Sequence, residues 1–200
     1  MRLGAIAPFM ESQVVLESDD WKKGAYSFCP KCGGALARRS VKVSEPDRLV
    51  CATCGFVFFL DPKVAVGTIV SLNDDIVLLR RGIEPGYGKW VFPGGFVDRG
   101  ERVEEAAIRE TREEIHLDVK ITRLLNIYSY RDHPVIIIVY VGDVVAGDLT
   151  AGDETLEVRT FHRQEIPWQD LAFPSTSHAL QDYFRGVTTA SSLPLSSWRR

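Results

Sequence analysis

Between Gly100 and His116 the chain has neither glycine nor proline, and near the end of that stretch the carboxylates Glu110, Glu113 and Glu114 fall close together. Residues 101–115 therefore read as a helix, and no other segment restricts the fold as tightly. At about 100 degrees per residue, Glu110, Glu113 and Glu114 share a sector of about 100 degrees with Ala106 and Val103. Ala107, Ile108, Thr111 and Ile115 fill the adjacent sector. One stripe thus packs into a core while a neighbouring acidic stripe faces a site.

Such like charges, with neighbours roughly 5 to 6 Å apart, repel by about 3 kcal/mol per pair at an effective dielectric near 20. A solvated face compensated by Arg109 and Arg112 offsets that repulsion, and so do bound cations. The preceding loop favours cations. Gly94-Gly95 lies just before Phe96-Val97-Asp98-Arg99-Gly100-Glu101, and a glycine pair lets backbone approach a ligand and offers a carbonyl as a hard oxygen donor. Glu101 is placed to reach along the helix to Arg109.

Gly95, Glu101, Arg109-Glu110, Glu113-Glu114 and Leu117 together resemble the Nudix hydrolase box. One position departs, since His116 stands where the family has glycine; that glycine caps the helix in a left-handed conformation, so histidine there is expected to carry some strain. The resemblance implies an α/β fold, an α/β/α sandwich on a mixed sheet, and hydrolysis of a nucleoside diphosphate derivative. It further implies that Glu110, Glu113, Glu114 and the Gly95 carbonyl hold Mg2+ or Mn2+, with Glu101 the structural partner of Arg109. A base is implied from a loop before the last strand, where Glu154 and Glu157 stand; Glu154, farther from the strand, is preferred, and Glu110 is the other candidate. Arg80 or Arg81, at a strand end beside the glycine loop, suits a phosphate. Tyr87, Trp90 and Phe92 surround the Pro93-Gly94-Gly95 turn, and Tyr87 and Trp90 are taken as candidates to stack on a substrate ring.

All four cysteines fall in two Cys-x-x-Cys pairs, Cys29 with Cys32 and Cys51 with Cys54, each running into a glycine, Gly33 and Gly55. That spacing is a two-knuckle zinc pattern, against the alternatives of disulfides or free thiols. Short strands at 35–39, 48–50 and 56–59 surround the site, and a module this small needs structural Zn2+ to fold. A zinc module before a Nudix domain resembles both bacterial NADH pyrophosphatases and the shorter plant enzymes acting on flavin adenine dinucleotide and ADP-ribose. Phe28-Cys29, Asp61-Pro62-Lys63-Val64, Arg81-Gly82-Ile83-Glu84-Pro85 and Leu171-Ala172-Phe173 are similar to the second group. Tyr128-Ser129-Tyr130-Arg131-Asp132-His133-Pro134 stands where the first group has a proline-rich signature, which ranks NADH below the other two substrates.

The expected organisation is an arm over 1–27, with Trp21 available to pack, a zinc ribbon over 28–60, a Nudix domain over 61–185 and a poorly ordered tail over 186–200. Within the main domain the pattern predicts a hairpin of strands 64–71 and 76–81 joined by Asn73-Asp74-Asp75, strands at 119–130, 135–142 and 156–162, and a helix at 175–184. The 200 residues are 45% hydrophobic and 26% charged with net charge −3, so no global positive field attracts nucleic acid. Lys31, Arg38, Arg39, Lys42 and Arg48 make only the zinc module locally basic. No secretory cleavage site is evident near the start, and the longest apolar runs are far short of the roughly 20 residues that cross a bilayer. A cytoplasmic homodimer acting on a nucleotide-type small molecule is expected. The readings of another class are a sensor that binds a nucleotide sugar without cleaving it, and a zinc ribbon that binds nucleic acid.

Overall fold

The computed structural model describes residues 26–187. All but the last two residues of the expected arm, including Trp21, and all but the first two of the expected tail lie outside them. The chain divides into two units, Met1–Asp61 and Pro62–Arg200.

In the first unit the strands β1 (Leu36–Arg39), β2 (Arg48–Cys51) and β3 (Val57–Phe58) form an antiparallel sheet in that order. The buried apolar residues described in this unit are Cys29 and Cys51 alone. Such a sheet has almost no core of its own.

The second unit is built on strands β4 (Lys63–Leu72), β5 (Asp75–Arg81), β6 (Trp90–Val91), β7 (Leu117–Ser129), β8 (Val135–Gly147) and β9 (Thr155–Phe161), with helices α1 (Val103–Ile115) and α2 (Pro174–Phe184). The strand order is β6-β5-β4-β8-β7, with β9 on β5. β4 runs parallel to β8, whereas β7 and β8 pair antiparallel, so the sheet is mixed. Asn73 and Asp74 both take positive φ, 52° and 71°, as a tight hairpin turn between β4 and β5 requires. The two strands pair only beside that turn, at Ser71↔Ile76 and Leu72↔Asp75, and then part. Into the opening runs the glycine loop, which bonds to β4 through Val66 N–H to the Gly95 carbonyl, Thr68 N–H to that of Pro93, and Val97 N–H to that of Val64.

Side-chain alternation places a helix on each face. Val70 of β4 and Val77 and Leu79 of β5 cluster with Ile115 of α1, while Ile69, Ile76 and Leu78 cluster with Ala179 and Leu180 of α2. This is the expected α/β/α sandwich. Ala106 and Ala107 are fully buried, so α1 approaches the sheet closely, and the Ala107 carbonyl accepts the hydroxyls of Thr68 at 3.3 Å and Thr111 at 2.7 Å.

α1 starts at Val103 rather than Glu101, because Arg102 is extended (φ −80°, ψ 143°) and serves as the N-cap. β7 and β8 both run longer than their side-chain patterns indicate. The added end of β8 is mostly exposed and held by ladder bonds, whereas β7 gains the buried Leu117, and register shifts at Asp118/Val119, Ile121/Arg123 and Leu124/Asn126 break the alternation. β6 spans two residues, too few for a pattern. Among the described residues no helix is long and apolar enough to cross a membrane.

Candidate active site and zinc site

The last two turns of α1 face the glycine loop. Arg109 organises them: its Nε and Nη2 donate to the Glu101 carboxylate at 2.8 and 2.9 Å, and its Nη1 donates to Glu110 at 2.7 Å and Glu113 at 3.1 Å. Nη2 also donates to the Phe96 carbonyl at 3.2 Å, tying the loop to the helix. Glu101 is fixed from its other side by the Asp98 amide at 3.1 Å. The Arg109 guanidinium, and then the Asp98 N–H, hold its carboxyl down at about 2. The expected partnership of Glu101 with Arg109 is present, and the same guanidinium also offsets the repulsion within the acidic stripe.

Glu114 stands apart from that cluster. It accepts the Gly94 amide at 2.7 Å, a contact that the Gly-Gly pair signalled only as close backbone approach. Burial pushes its carboxyl up to about 7 against that N–H, with Glu110 and Glu154 raising it further and Arg81 opposing them. Burial likewise raises Glu110, against Arg109. A half-buried pair of carboxylates beside a backbone turn favours a bound cation over two bare charges.

Each glycine of the turn has a steric reason. A Cβ on Gly95 would meet both Glu110 carboxylate oxygens at 2.5 Å, and one on Gly94 would collide with the Val66 carbonyl of β4. The Gly95 carbonyl accepts the Val66 N–H at 2.8 Å and keeps a second lone pair. Glu110, Glu113, Glu114 and the Gly95 carbonyl are hard oxygen donors of the kind a divalent cation such as Mg2+ takes, but among the described residues only the four cysteines already stand together as a ligand group.

Arg80 and Arg81 point apart, as strand alternation demands. Arg80 donates to the Gly88 carbonyl at 2.7 Å and lies 3.8 Å from Glu157, whereas Arg81 donates from Nε to the Pro85 carbonyl at 2.8 Å and acts electrostatically on Glu114. Glu154, in the loop before β9, also acts on Glu114. Trp90 is only 6% exposed, packs edge-on against Phe161 at 4.9 Å, and has the guanidiniums of Arg80 and Arg159 each 6.0 Å from its ring centre. A ring enclosed in this way has no open face to stack on a ligand. Tyr87 is 58% exposed.

The loop carrying Glu154 is attached to the end of α1. Gly152 N–H donates to the Glu114 carbonyl at 3.0 Å and Thr150 N–H to that of Ile115 at 3.3 Å, satisfying two helix-end carbonyls. His116 takes the left-handed C-cap conformation at φ 55°. These attachments have no sequence signal beyond the glycines.

In the first unit the cysteine sulfurs all lie within 4.8 Å of one another, with Cys29–Cys54 and Cys32–Cys51 separations of 3.8 and 3.5 Å, and all four are free of disulfides. A tetrahedron with Zn–S bonds of about 2.3 Å has edges of ~3.8 Å, so the cage fits zinc. Gly33 (φ 73°) and Gly55 (φ 71°) turn the two knuckles. The Cys51 thiol is held down at about 6, chiefly by the Cys54 amide, which prepares it as a thiolate ligand.

The NUDIX domain family matches residues 61–183. This chain belongs to the Nudix hydrolases. The family described as Nudix N-terminal, a zinc ribbon, matches residues 27–59. A Nudix hydrolase from Nitrosomonas europaea shares the fold with a TM-score of 0.76 and 34% identity, covering 80% of this chain and 91% of that one. An ADP-ribose pyrophosphatase of Methanocaldococcus jannaschii is 40% identical over 131 residues, or 64% of this chain and 76% of that protein. A NAD-capped RNA hydrolase NudC of Edwardsiella ictaluri is 30% identical over 142 residues, but the match covers only 53% of that protein. The Nudix assignment thus covers both units, and the carboxylate helix and glycine loop are the box of this Nudix hydrolase.

Proposed function

We propose that this Nudix hydrolase cleaves the pyrophosphate bond of a nucleoside diphosphate derivative, ADP-ribose or flavin adenine dinucleotide, with Mg2+ or Mn2+ bound by Glu110, Glu113, Glu114 and the Gly95 carbonyl. The observation that carries this reading is the pair Glu110 and Glu114, each in contact with the Gly94-Gly95 backbone and each raised by burial. The 40% identity to an ADP-ribose pyrophosphatase favours that substrate class. Magnesium held by these residues would supply charge neutralisation of the diphosphate and so lower the barrier to attack by water.

The chain's own groups do the rest. Arg109, anchored by Glu101, keeps Glu110 and Glu113 in place. Arg81 forks onto phosphate oxygens. Glu154 takes the proton as water oxygen bonds to one phosphorus; the bridging P–O bond breaks and the second monophosphate departs with its electron pair. ADP-ribose would yield AMP and ribose 5-phosphate.

The test is a screen with Mg2+ over ADP-ribose, flavin adenine dinucleotide, NADH, diadenosine polyphosphates and nucleoside triphosphates. Preferred hydrolysis of ADP-ribose or the flavin dinucleotide, lost in Glu114→Gln, supports the reading. Glutamate-dependent binding with no turnover of any of them would make the protein a sensor instead.

A further inference from the structure

His116 occupies the one box position where this chain departs from the family, and it does more than tolerate the left-handed cap. Its Nδ1 lies 3.1 Å from the Thr150 carbonyl. A carbonyl only accepts, so Nδ1 carries the proton and donates. The Thr150 N–H meanwhile donates to the Ile115 carbonyl at 3.3 Å, so consecutive residues at the end of α1 hold both peptide groups of Thr150. Two residues on, Gly152 N–H reaches the Glu114 carbonyl at 3.0 Å, and a Cβ there would strike the Glu113 carbonyl. Gly147, where the segment leaves β8, is equally tight, since a Cβ on it would strike the His116 carbonyl. At its far end the segment is fixed to β5 by Gly82 N–H donating to the Glu154 carbonyl at 2.7 Å. The segment 147–154 is therefore pinned along the helix end, with Glu154 at its last residue.

We propose that His116 is a positioning residue: its ring latches the 147–154 segment onto α1 and thereby fixes the Glu154 carboxylate relative to Glu114. A glycine at 116 would supply the left-handed turn with less strain but no donor for the Thr150 carbonyl. The histidine exchanges backbone comfort for a fixed loop. The catalytic consequence rests on the reading of Glu154 as the base. The latch itself rests only on the contacts between α1 and the segment.

The experiment compares His116→Gly, His116→Ala and His116→Asn, alone and with Glu154→Gln, in the full chain with ADP-ribose and Mg2+. Asparagine tolerates the left-handed region and offers a side-chain N–H donor. Loss of one hydrogen bond of ordinary net worth predicts that His116→Gly and His116→Ala lower kcat about fivefold with KM unchanged, equivalent to ~1 kcal/mol. His116→Asn recovers at least half of the loss. In the Glu154→Gln background His116→Gly has no further effect. Amide exchange at Thr150 and Gly152 is measured alongside and accelerates in the glycine and alanine variants only. Unchanged exchange overturns the latch, and faster exchange with unchanged kcat in an enzyme that needs Glu154 overturns its role in positioning. If Glu154→Gln is itself fully active, the assignment of the base fails, and exchange alone then decides the latch.

Discussion

In the proposed site a proton and a divalent cation would compete for the Glu114 carboxylate. Its folded value near 7 lies above the ordinary 4.5, so the stability linked to this group is fully present below the ordinary value and is lost as pH rises through about 7. Above that pH the ionised carboxylate bears the cost of burial unless a cation shares the site. Magnesium affinity should therefore fall by up to about tenfold per unit as pH drops below 7, where one proton must be displaced. Calorimetric titration with Mg2+ between pH 6 and pH 8 checks this, and Glu114→Gln should flatten the profile; equal affinity at both ends would remove Glu114 from the cation site. At this scale the sequence was informative where spacing along one helix decides the neighbour, as for Glu101 and Arg109. It was silent on Trp90, because a tryptophan beside a glycine loop reads the same whether its ring is open or enclosed by Phe161, Arg80 and Arg159.

The glycine loop and α1 act as one element, since the loop is bonded on one side to β4 and on the other to Arg109 and Glu114. Its two glycines should fail differently. Gly94→Ala drives a methyl into the backbone of β4 at Val66 and Gly67, which cannot move without disturbing the sheet, and it should cost about 2 kcal/mol or more of stability. The nearest atoms to a methyl in Gly95→Ala all belong to the Glu110 carboxylate, a side chain that can swing aside, so the melting temperature should barely change while kcat falls by about 100-fold. Thermal melts and turnover measured on both variants separate the two; equal losses of stability would show that Gly95 serves the fold rather than the site. The loop's attachment to β4 was not legible in the sequence. Pro93 and the glycines mark a turn, yet the bonds from Val66, Thr68 and Val97 depend on β4 and β5 parting beyond the Ser71↔Ile76 pair, which is a property of the whole sheet. The extra length of β7 and β8 was hidden for a related reason, since bulges shift the pleat and erase the alternation that marks a strand.

Across the whole molecule the two units differ in what holds them. Pro62–Arg200 has apolar clusters on both faces of its sheet, built from Ile69, Leu78 and Leu180 on one side and Val70, Leu79 and Ile115 on the other. Residues 26–61 bury only Cys29 and Cys51 among their apolar side chains, so their strands depend on what the thiolates bind. That dependence was readable from two Cys-x-x-Cys pairs in a segment too short for a core, and the expected boundary between residues 60 and 61 falls one residue from the division after Asp61. Removing zinc with a strong chelator, then restoring Mg2+, should therefore melt β1 to β3 while leaving the sandwich folded. Amide resonances of 26–61 would collapse to random-coil positions, those of 62–187 would persist, and Cys32→Ser would reproduce the effect without chelator. Stoichiometric zinc released as those resonances vanish ties the ion to the fold of the first unit. Persistence of the β1–β2 register in the chelated protein would mean that the cysteines hold this unit together without a metal.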